Sequence, residues 1–414
     1  MRIKYNNPFS ALKHKNFRYY WLGMCISLIG TWMQNIAQPW LAYKLTESPF
    51  LLSLIGTLQF TPVLLFSLFA GVVIDRFDKR KILIFTQTSS MVITLILALL
   101  VWTESIQFWH ILVMATLLGI VNTLDMPTRQ SFVIELVGRD DLMNAVALNS
   151  SVFNIARVIG PAIAGIVMGY TSISICFFVN AISFTAVVIS LIFFIKPIEK
   201  PQVPQKNEKI LTNIKYGLKY IYNTKVLFNT AIIMTIIGIF GMNFSVLVPV
   251  LAKEVLNQQE AGFGFLMAFV GIGSFIGAMF VATISKSGSK KLIYFILNIM
   301  PLVLGTFIII TGFVKSYSLS CLLLALSGLC FVTYSSTANS TMQLNSKDEF
   351  RGRVMSVYSL VFAGTTPIGN LFAGTITEHF GPNIGFTACG TMIVIALVPL
   401  LIYISRRNRV GGGG

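Results

Sequence analysis

The chain has 414 residues, of which 55% are hydrophobic and 11% charged, and its mean hydropathy is +0.77. Soluble domains carry about 25% charged residues, so this composition excludes a globular surface exposed to water. The net charge is +16, and we ascribe it to anchoring at a membrane surface rather than to nucleic-acid binding.

The apolar residues fall in runs longer than the roughly 18 residues that cross a bilayer as a helix. They predict an all-α polytopic membrane protein with twelve transmembrane helices in two bundles of six. The predicted spans are 17–43, 48–73, 82–102, 107–128, 143–168, 171–195, 226–252, 261–285, 290–313, 318–341, 352–376 and 383–405. The predicted domains are an N-terminal bundle (1–195), a linker (196–225), a C-terminal bundle (226–410) and a glycine tail (411–414) that we regard as a cloning remnant.

Lysine and arginine predict the orientation. Of 31 such residues, 27 fall at the termini, in the linker and in the loops after even-numbered spans. Cytoplasmic loops carry the excess of positive charge, so both termini are predicted in the cytoplasm of a cell with the protein in its inner membrane. The linker carries seven lysines on an amphipathic segment and is predicted to lie on the surface against anionic headgroups.

Span 1 places polar residues at helical spacing within an apolar segment. Gln34, Asn35 and Gln38 are its candidate cavity-lining residues. Polar side chains inside a membrane span usually face a cavity or a neighbouring helix, so packing between helices is the alternative.

The loop after span 2 has a glycine, three residues, an Asp-Arg pair and then a basic cluster. These positions are Gly71, Asp75, Arg76 and Arg80. Gly71 permits close approach of helices, and the cations hold the loop at the headgroups. A basic loop that only obeys the charge rule for cytoplasmic loops is the alternative.

Spans 4 and 5 carry the most informative charges. Asp125 is the one acid clearly within a predicted span, and Arg157 lies midway along span 5 with Asn154 one turn away. Charge in a bilayer is costly, so Arg157 predicts either contact with substrate or hydrogen bonding to a neighbouring helix. Gly160, Pro161 and Gly165 are the helix-packing candidates. Ala156, Gly160 and Ala164 recur every fourth residue as a small-residue face, and Pro161 bends the helix.

The chain also repeats internally. An offset of 209 residues aligns span 5 with span 11, so that Gly160 corresponds to Gly369. Because the offset contains an even number of spans, the halves are predicted to be parallel repeats related by an axis along the membrane normal.

These motifs resemble the major facilitator superfamily. The loop at 71–81 resembles its signature. The segments Asp125-Met-Pro-Thr-Arg129, Arg157-Val-Ile-Gly160-Pro161 and Arg351-Gly-Arg353-Val-Met-Ser356 are similar to the branch that contains the enterobactin exporter and related drug and siderophore efflux proteins.

The resemblance implies alternating access, and it implies roles for further residues. It places spans 1, 4, 7 and 10 around a central cavity, which adds Asn122, Asn243, Tyr334 and Asn339 to the candidates. It makes the Asp75 loop a latch against the start of span 11, with Arg353 and Arg129 as partners. It implies proton antiport, for which Asp125 is the coupling candidate.

The predicted function is therefore export of a small organic amphiphile, such as a siderophore or an antibiotic, by a monomer driven by a proton gradient. A lysolipid or glycolipid flippase and a receptor that has lost transport are the alternatives. A membrane enzyme is disfavoured because the sequence has neither a phosphate-binding Gly-x-x-x-x-Gly-Lys motif nor a His-Glu-x-x-His motif. The five cysteines have no metal-ligand spacing, and no catalytic residue, metal or cofactor is predicted.

Overall fold

The computed structural model describes residues 9–195, 210–284 and 289–410. The predicted glycine tail (411–414) and residues 196–209 of the predicted linker lie outside these ranges. Ten stretches of the described residues are long and apolar enough to cross a membrane. The last of them, Glu349–Ile402, covers predicted spans 11 and 12, which meet at Gly381, where φ is +80°. A further 32-residue helix, Lys15–Thr46, precedes the ten.

The described helices follow the predicted order of spans. Spans 1 to 5 are Lys15–Thr46, Pro49–Arg76, Lys79–Trp102, Phe108–Val137 and Leu142–Tyr170, and span 6 is Ile173–Ile189 followed by a π turn, Ser190–Phe194. The linker helix is Ile210–Asn223. Span 7 is Lys225–Phe240 with Phe244–Val250 and a π turn, Leu251–Val255; span 8 is Glu260–Ile284; span 9 is Lys290–Asn298 with Met300–Phe313; span 10 is Tyr317–Leu344; span 11 begins at Asp348–Gly364 and, with span 12, continues in Thr366–Val410.

Short polar caps separate several spans. The Ser48 hydroxyl accepts a hydrogen bond from the Leu51 amide at 3.1 Å and begins span 2. The Asp78 carboxylate accepts the Arg80 amide at 2.8 Å and begins span 3. Such caps accept hydrogen bonds from amides of the first helical turn, which have no acceptor within the helix. Each chain reversal therefore takes only a few residues.

Three spans that the sequence predicts as continuous are interrupted. Span 9 breaks at Ile299, two residues before Pro301, which lacks the amide hydrogen that a continuous helix needs. Span 11 breaks at Thr365, before Pro367. Span 7 breaks after Phe240, where Asn243 donates to the Ile239 carbonyl at 2.8 Å and so replaces a backbone hydrogen bond.

The two halves meet along two pairs of spans. Span 5 packs on span 8, and span 2 packs on span 11. A Cβ atom added to Gly165 in span 5 would lie 2.9 Å from the Gly264 Cα in span 8. A Cβ atom on Gly374 would meet the Ser53 side chain. Gly165 and Gly374 are 209 positions apart, so the two contacts are related by the sequence repeat.

The same repeat relates two polar contacts inside the halves. Gln34 in span 1 accepts a hydrogen bond from Asn180 in span 6 at 2.6 Å. Asn243 in span 7 donates to the Cys389 sulfur in span 12 at 3.7 Å. Each partner in the second pair lies 209 positions after its counterpart in the first, which is the geometry expected of parallel repeats.

The linker helix packs on the C-terminal half. Ile221 is buried with Leu227 and Val354, and the Tyr220 ring stacks on Phe350 with centroids 4.5 Å apart. Lys219 is exposed. One face of this helix therefore covers the start of span 11.

Candidate functional site

Arg157 lies between two aromatic rings midway along span 5. Its guanidinium carbon is 5.4 Å from the centre of the Trp32 ring and 5.3 Å from that of Phe153. The two rings touch edge to face, with centroids 5.7 Å apart. We call Trp32, Phe153 and Arg157 the arginine cage.

Local packing explains why span 1 reaches this arginine. Gly160 lies one turn after Arg157, and a Cβ atom there would collide with the Trp32 Cβ. The missing side chain lets span 1 approach closely enough for Trp32 to cover the guanidinium. The Arg157 carbonyl in turn faces Gly271 of span 8. The cage thus lies where spans 1 and 5 of one half meet span 8 of the other.

Among the described residues, the charge of Arg157 has no counter-ion. Arg157 is only partly exposed, and it forms neither an ion pair nor a hydrogen bond with any described residue. An arginine at the centre of a membrane helix costs about 2.5–3.5 kcal/mol on insertion scales, and a cation–π contact returns about 0.5–2 kcal/mol. The site therefore retains an attraction for an anion.

Besides Arg157, three predicted cavity residues of the N-terminal half keep some exposure. Asn35 is exposed one turn after Trp32, whereas Asn122 and Asn154 are half-buried. Asn154 donates to the Ser150 carbonyl at 2.8 Å. Asn35 and Asn154 lie on the two spans that supply the cage.

Gln34 and Gln38, by contrast, are buried inside the N-terminal half, each 4% exposed. The Gln34 side-chain oxygen accepts hydrogen bonds from Asn180 at 2.6 Å and from Thr94 at 3.1 Å. These contacts place Gln34 on the face of span 1 that packs against spans 3 and 6. In this conformation its carbonyl is engaged by protein rather than open to a substrate.

The candidates of the second half are also engaged by protein. Asn243 is 2% exposed, and its neighbour Gly369 provides the room for its side-chain oxygen. Tyr334 is 1% exposed and donates to the Thr230 carbonyl at 3.3 Å. Asn339, half-buried, accepts from Gln343 at 2.6 Å. The structure does not bring these residues to the arginine cage.

Asp125 belongs to a buried polar cluster between spans 3 and 4. Its carboxylate pairs with Arg129 at 2.5 Å and accepts hydrogen bonds from Thr86 at 2.7 Å and Gln87 at 2.8 Å. Arg129 also contacts the Met24 sulfur at 3.1 Å. Sequence reasoning missed Thr86 and Gln87, although two adjacent polar residues in an apolar span were a usable signal.

The predicted latch residues lie at the ends of the spans that the sequence predicts to be cytoplasmic. Arg80 donates to the carbonyls of Leu191 at 2.6 Å and Ile192 at 2.9 Å, which end span 6. Arg353 lies over the Tyr216 and Phe350 rings. A Cβ atom on Gly71 would meet open space, and Arg76 is exposed. The Asp75 side chain lies outside the described residues.

At the opposite face, ion pairs join the two halves. Lys44 after span 1 pairs with Glu260 of span 8 at 3.1 Å, and Lys253 after span 7 pairs with Glu47 at 2.8 Å. Tyr43 also donates to Glu254. We call these three contacts the external clasp, after the predicted orientation.

The clasp is reciprocal, and further contacts support it. Its two lysines are 209 positions apart, and each reaches an acid of the other half. Glu378 of span 11 accepts hydrogen bonds from the Ser48 hydroxyl at 2.7 Å and the Phe50 amide at 3.0 Å. Beneath the clasp, Trp40 stacks on Phe263 with centroids 5.1 Å apart. The ion pair with Lys253 lowers the pKa of the Glu47 carboxyl.

Sequence reasoning missed the clasp. The signal was available, because the two lysines are among only three cations on the predicted external side and lie at equivalent positions of the repeat. Their acids, however, come from different loops of the two halves, and only the packing of the spans brings them together.

Comparison with known proteins agrees with this architecture. The profile of the family described as "Transmembrane secretion effector" matches residues 6–409. The chain is 25% identical to the staphyloferrin A transporter of Staphylococcus aureus over 396 residues, covering 95% of this chain and 97% of that protein. It is 22% identical to macrolide efflux protein A of Streptococcus pyogenes over 400 residues, covering 95% and 96%.

A solved structure shares the fold. The bacterial homologue of the human lysosomal transporter Spinster, in an inward-facing and unoccupied conformation, superposes with a TM-score of 0.73 at 11% identity and covers 92% of this chain and 95% of that one. Its likeness concerns the fold alone. The match over nearly the whole chain shows that the protein is a multi-pass membrane transporter, not an enzyme, and belongs to the transmembrane secretion effector family of the major facilitator superfamily.

Proposed function

We propose that this protein is a secondary active transporter that exports a small organic amphiphile by alternating access. The observation that carries the proposal is the external clasp. It joins the halves at one face through side chains that can separate without unfolding either half. A transporter of this kind must seal one face while the other is open.

The proposal assigns the moving parts and the orientation. Residues 1–195 and 226–410 move against each other as two bodies, with both termini in the cytoplasm and the clasp outside. Close packing of spans 5 and 8 at Gly165 and Gly264 supports external closure, because the two backbones are nearly in contact there. At the cytoplasmic side, the loop with Asp75 and Arg76 latches onto the start of span 11 near Arg353 when the external side opens.

Export rather than import is supported by the relatives. The names of macrolide efflux protein A and of a multidrug efflux pump from Mycolicibacterium fortuitum, 23% identical over 382 residues, describe efflux. We propose that this protein also transports its substrate out of the cell, and that it acts as a monomer in the inner membrane. The substrate class follows the same comparison, with siderophores and antibiotics as first candidates.

Proton coupling is assigned to the Asp125 cluster. Asp125 pairs with Arg129 inside the N-terminal half and is 3% exposed. Protonation of the carboxylate would release Arg129 and loosen spans 3 and 4. The proton gradient would then drive the change between the two conformations.

Transport by the purified protein tests the function. Vesicles reconstituted with the protein are loaded with staphyloferrin A, a macrolide or a neutral dye, and efflux is followed with and without an imposed pH gradient. We expect one compound to leave faster than from protein-free vesicles, and the pH gradient to accelerate it. Equal rates for every compound in both kinds of vesicle would contradict the proposal.

A further inference from the structure

Arg157 is a cation midway along a membrane span, and no described acid neutralises it. Asp125 is paired with Arg129, and Glu135 is paired with Lys79 at 2.6 Å. The acids whose side chains are not described, at positions 75, 199, 208 and 348, lie in loops, in the linker or at the ends of helices. No acid is therefore left in the interior of spans 1 to 6 to serve Arg157.

The surroundings of Arg157 are shaped for an amphiphile. Trp32 and Phe153 cover the guanidinium with apolar ring faces, and neither supplies a hydrogen-bond acceptor. The five donors of an arginine form a planar fork that matches carboxylate and phosphate oxygens. An anionic head would engage the fork, and an adjoining apolar chain would contact the two rings.

The position is suitable for a transported ligand. The cage lies on spans 1 and 5 and borders span 8, where the two halves move against each other in alternating access. Asn35, exposed one turn along span 1, adds a polar side chain nearby. A ligand here would contact both bodies of the transporter.

We infer that the arginine cage binds the anionic group of an amphiphile, with Arg157 holding a carboxylate or phosphate and Trp32 and Phe153 holding the apolar part. The inference rests on the proposed function and narrows its substrate class to anionic amphiphiles. Arg157 would then be the residue that selects anionic over neutral compounds of the same shape.

Binding to purified protein in detergent tests this without requiring transport. The probes are 11-(dansylamino)undecanoic acid and its methyl ester, which differ only in the charge of the head, with dansyl fluorescence as the readout. A charge-assisted hydrogen bond is strong enough for us to expect the acid to bind at least about tenfold more tightly than the ester. Equal affinities in the wild-type protein, or no saturable binding of either probe, would overturn the inference.

Substitutions of Arg157 test whether this residue causes the preference for the acid over the ester. Arg157→Gln should remove the preference for the acid and leave the affinity for the ester unchanged. Arg157→Lys keeps a positive charge and should therefore keep part of the preference for the acid. Arg139→Gln, at an exposed arginine outside the cage and the latch, is the matched control and should change neither affinity. A full preference for the acid in folded Arg157→Gln protein would place the anion site elsewhere.

Competition separates two sources of the anionic group. Dioleoyl phosphatidylglycerol is added to the bound acid, with dioleoyl phosphatidylcholine as its uncharged match. Displacement by the anionic lipid alone supports the anion site and identifies a lipid headgroup as an occupant; no displacement by either supports a soluble amphiphile. Equal displacement by both lipids would show that the site does not distinguish ligands by charge, and would contradict the inference.

The failure of the inference can be distinguished from the failure of the proposed function. Preferential binding of the acid in detergent, without transport in vesicles, would refute the proposed function but not the binding site.

Discussion

Removing one hydroxyl should loosen the external clasp. Tyr43→Phe deletes the hydrogen bond to Glu254 and keeps the ring, which is 2% exposed and packed in the core. A hydrogen bond to a charged group contributes about 1.5–3 kcal/mol. Glu254 is exposed, so water replaces part of the loss and the lower value applies. The externally open population should then rise about 13-fold.

The reactivity of a cysteine beneath the clasp measures that population. Ser53 is fully buried between spans 2 and 11, against Gly374, and serine to cysteine is nearly isosteric. In Ser53→Cys protein in right-side-out vesicles, a membrane-impermeant methanethiosulfonate reagent reaches the thiol only when the external side opens. The labelling rate should therefore follow the open population, however small that is.

The matched control is Tyr170→Phe, at an exposed tyrosine that ends span 5. It should leave the labelling rate of Ser53→Cys unchanged, while Tyr43→Phe accelerates it about 13-fold. Equal rates in all three proteins would show that the Tyr43–Glu254 contact does not hold the external side closed. The reasoning from the clasp to a gate would then fail.

Three further predictions concern the other charges and polar contacts. Glu47→Lys should accelerate the same labelling, and Lys253→Glu should restore slow labelling in the double variant. Because the ion pair with Lys253 lowers the pKa of the Glu47 carboxyl, closure in the Ser53→Cys protein should be complete at neutral pH and weaken as the pH falls through and below the ordinary glutamate pKa of about 4.3. The measurement is the labelling rate against external pH, divided at each pH by the rate for the exposed cysteine of Tyr170→Cys, because only the thiolate reacts. Gln34→Leu leaves the Asn180 amide without its acceptor and should lower the stability in detergent by about 1–3 kcal/mol, seen as a lower melting temperature, whereas Asn35→Leu should leave it unchanged; equal melting temperatures would refute the packing role of Gln34. Asp125→Asn should abolish the effect of an imposed pH gradient on efflux while leaving downhill efflux measurable, and a gradient effect of wild-type size would remove Asp125 from coupling.

The sequence was sufficient for the architecture because hydropathy and charge act on whole segments. A bilayer requires long apolar helices, so their number and order follow from composition along the chain. The offset that aligns Gly160 with Gly369 also predicted repeats, and the contacts of Gly165 and Gly374 follow the same offset. These features do not depend on the rotation of any helix.

The candidate site depends on that rotation, which hydropathy does not determine. Gln34 and Asn35 are neighbours in one span, yet Gln34 is buried between helices and Asn35 is exposed. Both are polar residues in an apolar helix, and only packing distinguishes them. Arg157 was identified because its cost in a membrane is high in any orientation, whereas its contact with Trp32 required the close approach at Gly160.

Interruptions of the helices and the clasp were not predicted for a related reason. A proline alone does not predict a break, because Pro39 lies within the uninterrupted helix Lys15–Thr46 whereas Pro301 follows a break in span 9. The acids of the clasp lie at the ends of spans, and the sequence does not show which ends of the two halves face each other.

Cross-linking across the clasp during transport tests the central claim most directly. Cysteines replace Glu47 and Lys253, which belong to different halves and are joined by an ion pair at 2.8 Å, and a short bifunctional thiol reagent that reduction cleaves links them. Efflux of a compound that the wild-type protein exports should stop when the link forms and resume after reduction, and the reagent should not affect Glu47→Cys or Lys253→Cys alone. Undiminished efflux by fully cross-linked protein would contradict alternating access through this gate.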